Sequence, residues 1–190
     1  LRRKQNMANI DAPFGFRPSG KVGGNPDNGA LSEYAIKSDY ATAMFQGDLV
    51  IFSAGHVNVS AAGTAGNMVF NGLKYDDNTT NKPTFKNFFD GTALGVQGEV
   101  FVYDDPYQVY EAQGDSATAP TQAMVGLYMD SVKTHAGNST TGISGDELDV
   151  STNSTTLTGA KVLGFAQTPG NSIAVHSVMK CFIADSVHLN

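Results

Sequence analysis

The sequence predicts an all-β protein: an antiparallel jelly-roll-like barrel or sandwich with an extended N-terminal arm and few short helical turns. Three observations carry this reading. About eight to ten short segments alternate apolar and polar residues at period two, with turn signals between them. Charged residues make up only 16% of the chain, while Gly, Ser, Thr and Asn are abundant, which favours strands and turns over helices. No heptad pattern, solenoid-period repeat or long charge run competes with it. At 190 residues the chain is long enough to bury a real core. It divides into residues 1–30 as the arm and 31–190 as a single β domain.

From Met7 to Ala30 the chain is rich in Pro, Gly and Asn and shows no periodicity. Pro13, Pro18 and Pro26 each constrain the residue before them, so the segment reads as extended arm or turns. Phe14 and Phe16 are unusual for a solvated tail. Either they tuck into the domain's own core or they dock on a neighbouring subunit. Leu31–Lys37 alternates as a first strand, and Ser38 or Asp39 is placed to cap a short helical turn over Tyr40–Phe45 that Gly47 ends. Asp48–Ser53 and His56–Ser60 read as strands. Asn71-Gly72, between Met68–Phe70 and Leu73–Tyr75, is the strongest hairpin signal in the chain. Asp76–Thr84 reads as a polar loop and Phe85–Phe89 as an aromatic cover over one end of the core.

Glu99–Tyr103 and Tyr107–Gln113 alternate as two strands meeting at Asp104-Asp105-Pro106, and this is expected to be the organising hairpin. Pro106 fixes its own φ, lacks a donor and pushes Asp105 to an extended conformation, so the chain turns there. A short helical turn is expected near Pro120, then a strand over Met124–Val132 with a Gly kink. Thr134–Thr158 is polar and turn-rich, and a loop of that length is functional or carries structure of its own. Lys161–Gln167 and Ile173–His188 supply the last strands, with Ile173, Val175, Met179, Cys181 and Ile183 on one face. Val178 and Phe182 fall on the other, which makes the final strand central.

The candidate chemistry is sparse. Asp104 and Asp105 resemble an acid/base pair, with Glu111 and Asp115 nearby. Adjacent residues on extended backbone point to opposite faces, however, whereas a glycosidase needs two carboxylates facing each other across a cleft. Asp104, Asp105 and Pro106 are therefore assigned as a structural turn. Asp76-Asp77-Asn78 and Gly145–Asp149 offer oxygen ligands but lack the spacing of a calcium loop and read as solvated turns. His56, His135, His176 and His188 show no zinc-motif spacing, and His176 reads as a strand residue. There is no GxSxG elbow, and the glycines of Gly20–Gly29 lack a Walker ending. No catalytic, cofactor or metal residue is assigned.

A net charge of −6 with scattered cations, apart from Arg2-Arg3-Lys4, argues against a phosphate-backbone binder. The single Cys181, in an apolar run, reads as a buried thiol and calls for no oxidising compartment. No stretch approaches the length of a membrane span, and the opening residues lack a signal-peptide core. The sequons at Asn58, Asn78, Asn138 and Asn153 mark turns or surface.

Several blocks, in order, carry a resemblance: MANIDAPFGFRPSG (Met7–Gly20), Asn28-Gly29-Ala30 with Glu33-Tyr34, Phe45–Asp48, Phe70–Tyr75, VYDDP (Val102–Pro106) and TTGISGDELD (Thr140–Asp149). Together they resemble virion structural proteins of tailed bacteriophages, the head decoration or cement type of the marine-phage group. Residues 1–6 precede the first block and depart from the pattern. The resemblance implies a protein that is not an enzyme, made in the host cytoplasm and placed on the outer surface of the head. Its partners would be the major capsid protein and itself, as a homotrimer, with no direct nucleic acid and no membrane. Phe14, Phe16 and Arg17 are then expected as capsid or subunit contacts. The alternatives are a tail or neck component, or a virion domain that binds host glycans. An enzyme reading would rest on Asp105 and Glu111 acting on glycans.

Overall fold

The computed structural model describes residues 8–27, 29–63, 66–77, 79–92, 94 and 96–188. Residues 1–6, Asn28 and the sequon Asn78 lie outside them. Among the described residues fourteen strands follow in chain order: β1 (Arg17–Lys21), β2 (Ser32–Ile36), β3 (Met44–Phe45), β4 (Leu49–Ser53), β5 (His56–Val59), β6 (Met68–Asp76) and β7 (Pro83–Lys86). After them come β8 (Phe88–Phe89), β9 (Gly98–Tyr103), β10 (Gln108–Gln113), β11 (Tyr128–Val132), β12 (Glu147–Ser154), β13 (Ala160–Phe165) and β14 (Val178–Ile183). Helical structure among the described residues is confined to two single turns, Val22–Gly24 and Gln122–Met124. The chain is all-β, and every pairing between strands is antiparallel.

One six-stranded sheet runs β1-β10-β14-β13-β11-β12. A second runs β2-β9-β6-β4-β5, with β7 also on β6, and β3 pairs β8 apart from both. Neither large sheet closes into a barrel, so of the two expected forms the barrel is not realised. The final strand β14 is central, flanked by β10 and β13, and its alternation buries Met179, Cys181 and Ile183 on one face.

The expected central hairpin does not form. Strand β9 pairs with β2 and β6, whereas β10 pairs with β1 and β14. The turn at Asp104–Pro106 therefore hands the chain from one sheet to the other. Asn71-Gly72 is not a hairpin turn either. Residues 68–76 form one continuous strand, with a register shift between Phe70 and Gly72 on its pairing with β9. A two-residue type I′ turn needs positive φ at both positions, and neither Asn71 nor Gly72 has it. Gly72 instead allows a close approach, since a Cβ there would lie 2.9 Å from the Lys86 carbonyl oxygen. The true tight hairpin joins β4 to β5 through Ala54 and Gly55, both with positive φ.

Three further expectations are corrected. Tyr40–Phe45 holds no helical turn, and Met44–Phe45 is a short strand on Phe88–Phe89. Residues 134–158 are not one loop, because β12 occupies Glu147–Ser154. His176 is not a strand residue: its φ is 58°, outside any strand.

Two cores form, and period two explains how they share a wall. On β4 and β6, Leu49 and Val69 face the core of the first sheet, while Val50, Met68 and Phe70 face the core of the second. The pairs Leu49–Val69 and Val50–Met68 sit opposite one another across the two strands. Where these two strands pair, Leu49, Val50, Met68, Val69 and Phe70 have no solvent face, and each is apolar and buried.

Candidate functional site

The N-terminal segment is built into the fold rather than lying beside it. Its residues 17–21 are the edge strand β1. Phe16 is 1% exposed, inside the core of the first sheet, and meets the Tyr110 ring edge-on at 6.4 Å between centroids. Of the two places the sequence allows for Phe16, the domain's own core is the one occupied, so this side chain offers no surface to another subunit. Phe14 stays half-buried at the surface. The Arg17 guanidinium lies 4.6 Å from its ring centroid and pairs with Glu111 at 2.6 Å, its side chain 61% exposed. Gly15 holds a positive φ between them, and a Cβ there would lie 2.7 Å from the Gly47 carbonyl oxygen.

Segments far apart in sequence meet at this point. The Phe16 N–H donates to the Gly47 carbonyl at 2.9 Å, and the Gly47 N–H to the Phe70 carbonyl at 2.8 Å. The Gln46 N–H donates to the Gly142 carbonyl, and the Ser144 N–H returns to the Gln46 carbonyl. Above them opens a cleft of about 380 Å³, bordered by Phe14, Arg17, Phe70, Tyr103 and Ile143.

The turn between the sheets is held by its own side chains. The Tyr107 N–H donates to Asp105 Oδ1 at 2.8 Å, and Lys21 pairs with the same carboxylate at 2.7 Å. Asp104 accepts the Tyr34 hydroxyl at 2.7 Å and lies 3.0 Å from His188 Nε2. Burial alone would raise the Asp104 carboxyl, but the hydrogen bonds from Tyr34 and His188 outweigh it and hold it below its ordinary range. Asp105 is likewise held low, first by Lys21. Asp105 and Glu111 are thus each engaged with a cation, Lys21 and Arg17.

The sequence gives no sign of the most unusual group in the molecule. Asp48, Asp146 and Glu147 are all buried, whereas Gly145–Asp149 is expected to be a solvated turn. Lys133 reaches both Asp146, in a short contact, and Asp48 at 3.4 Å. The Ser144 hydroxyl donates to Asp48 at 2.6 Å, the Leu49 N–H to Asp146 at 3.1 Å, and the Phe45 N–H to Asp48 at 2.8 Å. The carboxylates of Asp48 and Asp146 are thereby bonded, as buried ionic groups must be.

Two carboxylates share one ammonium here, and the consequence is visible in protonation. The Asp146 carboxyl is pushed up to about 6, chiefly by burial; Lys133 pulls it down and Asp48 pushes it further up. Burial works against the Lys133 charge, but the two carboxylates prevail and raise its affinity for the proton. A carboxyl whose folded value stands above its ordinary 3.8 binds its proton more tightly when folded. The stability it contributes is therefore complete below that ordinary value and is lost as pH rises through about 6. Between pH ~5 and ~7 the melting temperature is expected to fall more steeply for the native chain than for Asp146→Asn, whose amide does not titrate. Parallel slopes would contradict this origin of the pH dependence.

Beside this network lies a second cluster. Glu147, 1% exposed, accepts the Thr134 hydroxyl at Oε2 in a short contact, and His135 Nδ1 lies 3.4 Å from the same oxygen. Asp11, from the N-terminal segment, sits 3.6 Å from His135 Nε2 and 3.4 Å from His176 Nδ1. Its strand of chain is strapped down on both sides. The Asn9 amide donates to the Ser172 and Val175 carbonyls, and Gln113 donates to the Ile10 and His176 carbonyls while accepting the Ala12 N–H.

Cys181 is fully buried, and burial pushes its thiol up to about 12, so it packs as an inert apolar side chain. No helix among the described residues is long and apolar enough to cross a membrane. No family model matches the chain, and no curated protein or solved structure matches it significantly.

Proposed function

We propose that the chain is a structural virion component: a head decoration protein that binds the outer surface of the major capsid protein and stabilises a tailed-phage head. One observation carries the reading. Five of the blocks that resemble such proteins, separated by up to most of the chain, converge on one junction. Phe16, Gly47, Phe70, Tyr103 and Gly142 each come from a different block. All are joined by main-chain hydrogen bonds or border the same cleft. What the resemblance tracks is therefore the lock that ties the N-terminal segment to both sheets, a feature of architecture rather than of catalysis.

The sandwich form of the fold belongs to this proposal. A shared wall between two cores resists shear, which suits a component bearing strain from packaged DNA through many symmetric contacts. Phe16 now belongs to that rigid body, and the contact face is left to Phe14 and Arg17. A half-buried aromatic ring under a largely exposed guanidinium has the composition of an interface anchor. We assign to this face the contact with the capsid shell or with the next subunit of a homotrimer. The test is the number of copies of the chain in a purified virion, which a shell component supplies in bulk.

A further inference from the structure

We infer that Asp11, Glu147 and His176 form a binding site for a divalent transition-metal ion, zinc by the chemistry of its donors, which staples the N-terminal segment to the domain. One ligand-type atom from each of the three lies within 4.8 Å of the others, a spacing that one ion at about 2.0–2.2 Å from each donor brings together with small movements.

The cluster is more than a group of acids. Glu147 is 1% exposed, and while Oε2 is held by Thr134, Oε1 is buried with no hydrogen-bond partner. His176 Nδ1 is also buried and lacks a hydrogen bond; it faces Asp11 Oδ1 at 3.4 Å without hydrogen-bond geometry. Unsatisfied buried acceptors are costly and call for an occupant. A cation satisfies a carboxylate oxygen and an imidazole nitrogen at once, where a neutral donor satisfies one.

The backbone agrees. His176 is one of three non-glycine residues with positive φ among those described, at 58°. That conformation is strained for most side chains, and the ring held in it lies beside Asp11. His135, 3.6 Å from Asp11 and 3.4 Å from Glu147, sits where a neighbouring group orients the ligating carboxylates. A mixed imidazole and carboxylate set suits zinc and its first-row neighbours, whereas calcium prefers oxygen alone. The three donors come from the N-terminal segment, the start of β12 and the turn before β14. An ion held by them would tie the N-terminal segment to both.

The test uses the full chain, stripped with a chelator and titrated calorimetrically with zinc chloride and, separately, with calcium chloride. One equivalent of zinc is expected to bind and raise the melting temperature, with no equivalent uptake of calcium. Asp11→Asn and His176→Gln are each expected to weaken zinc at least tenfold, with the stripped variants still unfolding cooperatively as the stripped native chain does. Cobalt bound in place of zinc should show a visible absorption band that His176→Gln shifts or abolishes. Failure to bind zinc, preference for calcium, or native zinc affinity in both variants would each overturn the site.

Discussion

Phe16→Ala is expected to destabilise the chain by about 3–5 kcal/mol, the range for deleting a fully buried aromatic side chain. At roughly 2–4 °C of melting temperature per kcal/mol for a chain of this size, that is a drop on the order of 10 °C. The ring fills the core of the first sheet against Tyr110, and no neighbouring segment can collapse into the space without moving the Phe16–Gly47–Phe70 hydrogen-bond ladder. Phe14→Ala, at a half-buried surface position, is expected to cost about 1 kcal/mol or less. Chemical denaturation of the two variants measures the difference. Equal losses would mean that the N-terminal segment is not part of the core.

Lys133→Met is expected to cost a similar amount, about 3–5 kcal/mol, because it leaves two buried carboxylates without their cation. Asp48 and Asp146 are 3% and 1% exposed, so both carboxylates depend on the ammonium and the surrounding hydrogen bonds. The double variant Lys133→Met with Asp146→Asn removes one of the two leftover charges and leaves Asp48 its hydrogen bonds from Ser144 and Phe45, so it is expected to recover part of the loss. Such non-additivity is what a shared network produces. A loss below about 1 kcal/mol in the single variant would place Lys133 among ordinary surface ion pairs.

Strands were legible where a period-two pattern met a turn signal, as at Ser32–Ile36 and Leu49–Ser53, and in part at Val178–Ile183, where the pattern starts five residues before the strand does. Their partners were not. Asp104–Pro106 announces a turn equally well whether the flanking strands pair with each other or leave for different sheets. Only contacts with β1, β2, β6 and β14 decide between them. Asn71-Gly72 has hairpin chemistry locally, but continuous pairing of β6 with β7 and β9 overrides it. Register is a global property, and a two-residue signal yields to it.

The buried charges were the least legible. GISGDELD reads as a solvated turn because nothing within it says that Asp146 and Glu147 face inward. Their partners lie at Lys133 and Thr134, thirteen residues away, and the Ser144 hydroxyl reaches Asp48 across ninety-six. His176 misled for a similar reason: Ile173, Val175 and Met179 alternate as a strand would, yet Ile173 and Val175 are exposed in a turn. The burial of Phe16 was one of two readings available from the sequence, and the core was the occupied one. Arg17 and Phe14 keep the surface, so the segment both anchors the fold and presents a face.

The proposal of a capsid role is tested most directly by counting the chain against the major capsid protein in purified virions by quantitative mass spectrometry. A shell component is expected at a fixed ratio and on the order of hundreds of copies per particle, as symmetric occupancy of the shell requires. About a dozen copies or fewer would assign the chain to the tail or neck, and its absence from the particle would overturn the capsid role outright.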